Sequence, residues 1–332
     1  MIKLDRGGDT TTELDAKSAY IALHPPHNLQ IVGLVSVQEY GRIFGMVMNM
    51  QKKDQSPIVC PVCPRHCRLH EGETGFCRAR RAEGGRVVAG NYGRITSLAL
   101  DPIEKKPIAF FRPGSCILSV GSYGCNLRCP FCQNDSISQR GECAAEFQAT
   151  TPAELAELAE RLRRERGNIG LAYTYNEPLV GWEFVRDCAV EVRRRGMCNV
   201  LVSNGCAEAA VVEELAPLID AANIDLKGPS QEFYDWVGGS FAAVCRTIEM
   251  LHSAGCHVEV TTLVIPGRND SDESIDAIAE RIASVSPEIP LHVTRFFPRF
   301  QMADAEPTPI DTIHRLVSRA SRILPHVLPG NC

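Results

Sequence analysis

From residue 116 onward, short apolar runs alternate six times with longer stretches of helical period, a pattern suited to a parallel sheet wrapped by crossover helices. The expected strands are 117–120, 170–173, 199–202, 222–226, 258–264 and 291–294. Helix starts are readable between them. Thr151-Pro152-Ala153-Glu154 is a capping box with proline at the first helical position, and Leu155, Leu158 and Leu162 follow on one face. Val185, Cys188, Ala189 and Val192 mark the second helix, and Val244, Ile248 and Leu251 the fourth. Ser271 caps a fifth with the stripe Ile275, Ile278, Ala279 and Ile282. Thr308-Pro309 opens a sixth that turns Ile313, Leu316, Val317 and Ala320 inward. Six such units predict an α/β fold, a partial (β/α)6 TIM barrel, in which chemistry sits on the loops after the strands.

Directly after the first expected strand comes Cys125-Asn126-Leu127-Arg128-Cys129-Pro130-Phe131-Cys132-Gln133-Asn134, three cysteines at C-x3-C-x2-C. A closed zinc or iron–sulfur site normally takes four protein ligands, so three leave one metal position free for an outside ligand. A zinc loop completed by a distant residue is the bland alternative, although zinc loops favour paired C-x2-C. With Asn126, Phe131 and Asn134 flanking the thiols, the run resembles the signature of the radical S-adenosylmethionine (radical SAM) superfamily. That resemblance implies a [4Fe-4S] cluster on Cys125, Cys129 and Cys132, with SAM chelating the fourth iron. An electron from the cluster then splits SAM into methionine and a 5'-deoxyadenosyl radical.

The next loops place compact polar groups at successive strand ends: Tyr173-Thr174-Tyr175-Asn176-Glu177-Pro178, then Ser203-Asn204-Gly205, then Asp225-Leu226-Lys227-Gly228. Asn176 and its neighbouring backbone are suited to the SAM amino group, with Glu177 shaping that loop. Ser203 and Asn204 suit the ribose or the methionine carboxylate, and Asp225 with Lys227 can organise that carboxylate, directly or through a bound cation. Ordinary turn chemistry explains any one of these residues; their recurrence on successive strands favours a site. His292 and Thr294 share a face of the sixth strand, and Arg295 begins its loop. His292 and Arg295 are candidate substrate residues, Arg295 either forking onto an anion or pairing within the barrel wall.

Upstream, Cys60, Cys63, Cys67 and Cys77 form a C-x2-C-x3-C-x9-C group suited to a second metal centre, either zinc or an auxiliary iron–sulfur cluster. His66 and His70 are possible substitute ligands. Fifteen cysteines without a signal peptide argue against a disulfide scaffold and for a cytoplasmic protein in which metal binding and burial account for the thiols. The formal net charge of −5 gives no global basic field for nucleic acid. No apolar run reaches the roughly 18 residues of a membrane span; 31–50 is broken by Glu39, Arg42 and Asn49.

The upstream cysteines, the linking run 91–107, the 125–134 motif and the 173–178 loop together resemble the AmmeMemoRadiSam-system radical SAM enzymes, relatives of pyruvate formate-lyase activating enzymes. The resemblance covers 57 to about 330. It implies that Phe131, Asn134, Asn176, Glu177, Ser203, Asn204, Asp225 and Lys227 fall at SAM-binding motifs, that flavodoxin or ferredoxin supplies electrons, and that Memo-type and AMMECR-type proteins are candidate partners. Where activating enzymes usually carry Gly-Gly-Glu, this chain has Tyr175-Asn176-Glu177. The expected organisation is an extension over 1–55, flexible or from an upstream start; a cysteine-rich subdomain over 56–112; the partial barrel over 113–328; and a truncated tail over 329–332. Three functions remain in view: hydrogen abstraction from an unidentified substrate, activation of a glycyl-radical partner enzyme, and a non-enzymatic metal module.

Overall fold

All six expected strands form, in one sheet that also holds two more. The computed structural model describes residues 56–332 and, before them, the two-residue strands Ser18–Ala19 and Val35–Ser36, which pair antiparallel with each other. The expectation for 1–55 otherwise lies outside the described residues. The sheet comprises β1 (Ser97–Pro102), β2 (Cys116–Gly121), β3 (Asn168–Tyr173), β4 (Cys198–Ser203), β5 (Ala221–Asp225), β6 (His257–Val264), β7 (Leu291–Arg295) and β8 (Val327–Gly330). Spatial order follows chain order, every neighbouring pair from β2 to β8 is parallel, and β1 pairs antiparallel with β2. The partial-barrel architecture expected from the alternation is therefore present, extended by one strand at each edge.

Both added strands lie outside the six expected units. β1 joins the barrel sheet upstream of residue 113, its Ser97 opposite Gly121 and its Pro102 opposite Cys116. The expected tail is in part β8, with Leu328 opposite His292 and Gly330 opposite Thr294. Neither could be read from the crossover pattern, because one is a hairpin partner and the other is four residues ending in Pro-Gly.

The helices follow local chemistry. α1 (Pro152–Arg166) has both halves of the Thr151–Glu154 capping box and ends at Gly167 in the left-handed region. It buries Leu155, Ala156 and Ala159, while Leu158 and Leu162 pack at the margin. α2 (Trp182–Arg194) buries the expected face. α3 (Ala209–Leu215) and α4 (Gln231–Val237) are short, α5 (Phe241–Ser253) and α6 (Asp272–Ala283) are capped by Ser240 and Ser271, and α7 (Ile310–Ala320) completes the outer layer. Thr308 does not cap α7: its hydroxyl donates to the Val264 carbonyl at 2.6 Å and accepts from Phe296 N, tying the ends of β6 and β7 together.

One end of the barrel is closed by its own chain. Between β1 and β2, Ile103 and Ile108 insert fully buried against Ile117, Ala172, Val200 and Ala221. Polar ties seat this plug: Asn223 Nδ2 donates to the Pro107 carbonyl at 2.7 Å, and the amides of Ala109 and Phe110 donate to Glu259. The carboxyl ends of the strands face away from the plug. Among the described residues no helix is long and apolar enough to cross a membrane.

Candidate active site

A cavity of about 800 Å³ opens above the plug. Cys125, Cys129 and Cys132 line one side of it, on the loop after β2. The Leu127 amide donates to the Cys125 sulfur at 3.4 Å, and the Asn134 amide to the Cys132 sulfur. Burial pushes the Cys129 thiol up to about 11, so metal charge is what would draw these sulfurs into the thiolate form. A set of three cavity-facing thiols with amide donors fits a cluster that keeps one iron open. Among the described residues, no three His, Cys, Asp or Glu side chains close on a single-ion position. The fit therefore rests on the donor set and the space in front of it.

The loops after β3, β4 and β5 line the same cavity with Asn176, Glu177, Ser203, Asn204, Asp225 and Lys227. Glu177 joins two of them: it accepts from Ser203 Oγ at 2.7 Å, Asn204 N at 2.8 Å and Leu179 N at 2.9 Å. Burial nevertheless outweighs these donors and raises its pKa to about 7. The Asn176 amide turns to the approach of the cysteine loop, accepting from Ser122 N and donating to the carbonyls of Tyr123 and Gly124. Its side chain thus positions the loop. Asn204 Nδ2 bonds Asn126 at 2.9 Å and reaches Cys125 Sγ at 3.5 Å. Lys227 pairs with Asp225 at 2.8 Å; burial opposes its charge, but the Asp225 carboxylate prevails and holds the ammonium above its ordinary value.

Phe131 and Asn134 also line the cavity. Phe131 packs on Trp236 with ring centroids 5.4 Å apart, and Asn134 Nδ2 donates to the Tyr175 carbonyl at 2.8 Å. Tyr175, which stands where glycine is expected in an activating-enzyme motif, has φ +72°. Its hydroxyl donates to Asp101 at 2.9 Å, and the Lys106 ammonium pairs with the same carboxylate at 2.9 Å. A Cβ at Gly121 would lie 2.9 Å from Tyr175 Cβ, so the glycine at the end of β2 makes room for this tyrosine.

The two substrate candidates separate. His292 lines the cavity, whereas Arg295 does not: its Nε donates to the Thr308 carbonyl at 2.6 Å and its guanidinium lies over Phe297. Its partner is the backbone of the segment leading into α7. Sequence reasoning missed Glu259, Thr261 and the plug. The available signal was a glutamate and two threonines inside 258–264, unusual in a strand whose sheet is covered on both faces.

Cys60, Cys63, Cys67 and Cys77 line a second, small cavity together with Phe76 and Arg80. Amides of Phe76 and Arg80 donate to the sulfurs of Cys67 and Cys77, and burial pushes Cys63 up to about 12. His66 is engaged by Glu208 and the Cys60 carbonyl. All fifteen cysteines are free of disulfides.

The radical SAM superfamily profile matches residues 119–282. An uncharacterized protein of Methanocaldococcus jannaschii is 38% identical over 267 residues, 80% of this chain and 78% of that protein. The benzylsuccinate synthase activating enzyme of Thauera aromatica is 33% identical over 114 residues, 33% of this chain and 34% of that one. In structure, Streptococcus suis SuiB bound to precursor peptide SuiA superposes with a TM-score of 0.51 at 13% identity, over 63% of this chain and 47% of SuiB, a likeness of fold.

Proposed function

Since the chain belongs to the radical SAM superfamily and is an enzyme of that class, we propose that Cys125, Cys129 and Cys132 hold its [4Fe-4S] cluster and that the cavity binds SAM beside it. When bound, the cluster supplies the electron that splits SAM to methionine and a 5'-deoxyadenosyl radical. The chain's own residues bind and orient. Glu177 fixes the loops after β3 and β4 in register, Asn176 holds the cysteine loop against them, and the Asp225–Lys227 pair presents charge at the third wall. The carrying observation is the convergence on one cavity of loops from the ends of four adjacent strands. The plug keeps bulk water from the opposite end, which favours hydrogen abstraction from an enclosed substrate, still to be identified.

The finer assignment is to the AmmeMemoRadiSam group, with a second metal centre at Cys60, Cys63, Cys67 and Cys77. It carries with it flavodoxin or ferredoxin as electron donor, Memo-type and AMMECR-type proteins as partners, and a cytoplasmic location. A second reading, activation of a glycyl-radical enzyme, is favoured by the identity shared with the Thauera activating enzyme. It predicts deuterium transfer into 5'-deoxyadenosine from an α-deuterated glycine of a partner protein.

The test is iron, sulfide and zinc content of anaerobically reconstituted protein beside a Cys125→Ala/Cys129→Ala/Cys132→Ala variant, with 5'-deoxyadenosine formation assayed on both. Loss of about four irons and of SAM cleavage in the variant supports the proposal. Absence of cleavage by well-reduced wild type, with zinc in place of iron, sinks it.

A further inference from the structure

Thr261 and His292 stand side by side in register on β6 and β7, both lining the cavity. The hydroxyl of Thr261 is buried and has no hydrogen-bond partner, although the residue is only 7% exposed. A buried polar atom of this kind signals a missing partner. His292 supplies the second observation. Its Nε2 is 2.6 Å from Glu259 Oε2, while Nδ1 has no partner among the described residues.

Glu259 fixes that arrangement from behind. It is fully buried, takes His257 Nε2 at 2.8 Å on its other oxygen, and accepts the amides of Ala109 and Phe110 from the plug. Burial alone would raise its pKa, but these donors hold it down to about 2, so the carboxylate is ionised and requires Nε2–H of His292. Nε2 therefore carries the proton shared with Glu259, and wherever the ring is neutral its lone pair lies on Nδ1.

We propose that Thr261 and His292 form the substrate subsite of the cavity and that the substrate is a small hydroxylated molecule, its hydroxyl donating to Nδ1 of His292 and accepting from Oγ1 of Thr261, which turns about χ1 from its buried position to meet it. The inference rests on the radical SAM reading of the cavity. A hydroxyl is the smallest group that donates and accepts at once. A carboxylate, which only accepts, would face the Nδ1 lone pair. The subsite lies in the same row as Asp225, which pairs with Thr261 from β5, so a bound group would sit next to the SAM half of the cavity. Glu259 is a positioning residue, since its four partners leave it no contact with the cavity ligand.

The experiment uses reconstituted, oxidised holoenzyme with SAM and 15N-labelled histidine, the His292 resonances being assigned by difference with His292→Gln. The expected result is an Nε2–H tautomer and a saturable Nδ1 shift with glycerol as probe, kept in Thr261→Ser and lost in Thr261→Val. The three-carbon anion propionate should leave Nδ1 unmoved. An Nδ1–H tautomer, a shift with propionate and none with glycerol, no shift with either, or an undiminished glycerol shift in Thr261→Val would each overturn the subsite. The radical reading fails separately, if the dithionite-reduced holoenzyme makes no 5'-deoxyadenosine from SAM.

Discussion

The amide of Cys125 donates to the carbonyl of Cys77 across 3.1 Å, so the two cysteine groups meet through the main chain. Gly124 sits at that junction with φ +88°, and a Cβ there would lie 2.5 Å from the Cys77 carbonyl oxygen. Arg128 adds a second tie, its guanidinium bonding the Phe76 carbonyl and stacking on the Phe76 ring opposite Arg65.

Replacing Gly124 with alanine should therefore damage both groups at once. The strained φ and the backbone clash together predict a stability loss of about 2 kcal/mol or more. Metal analysis should show less iron retained after reconstitution than in wild type, and thermal unfolding a lower Tm. Full metal loading at an unchanged Tm would show that the junction is looser than the geometry indicates.

Cys60→Ser/Cys63→Ser tests the upstream group by itself. If these thiols hold a second centre, the variant should lose metal while keeping the share bound by Cys125, Cys129 and Cys132. Metal content equal to wild type would leave the four thiols without a metal role.

Glu259 makes stability depend on acid. Its carboxyl is held at about 2, below its ordinary value of 4.5, so the stabilisation is present above pH 4.5 and fades as pH falls toward 2. The difference of about 2.5 units corresponds to roughly 3 kcal/mol. Urea unfolding of metal-free protein should show Glu259→Gln destabilised by about that amount at pH 7, with the gap from wild type closing in acid. A gap that does not change with pH would mean packing, and not charge, carries the effect.

Tyr175 holds a left-handed backbone for the sake of its side chain. Tyr175→Phe loses the bond to Asp101 and should cost about 1 kcal/mol in chemical unfolding. Tyr175→Gly relaxes φ and removes the ring that Lys106 approaches at 4.7 Å, so it should free the segment carrying Lys106. Faster amide exchange across 101–106 would register this; unchanged exchange would remove the tyrosine from the anchoring of β1.

Much of the barrel was legible because its determinants are local. The Thr151–Glu154 box, Ser271 and the apolar stripes each act within a turn or two of chain, and the cysteine spacing places three thiols on one loop whatever surrounds it. Arg295 shows where that legibility ends: its place at a strand end is local, but the donation of its Nε to the Thr308 carbonyl, thirteen residues on, is not.

The sequence by itself determined the strand and helix alternation, the cysteine loop and the polar groups after successive strands, because periodicity, capping and ligand spacing are properties of short segments. Only the tertiary structure decided that Glu259 would be satisfied by amides 149 and 150 residues away, that Thr261 would be left without a partner beside His292, and that Val327–Gly330 would add a strand at the sheet's edge. Those outcomes depend on which distant groups are brought together when water is excluded, and buried polar atoms must then find partners across the fold or leave a place for a ligand.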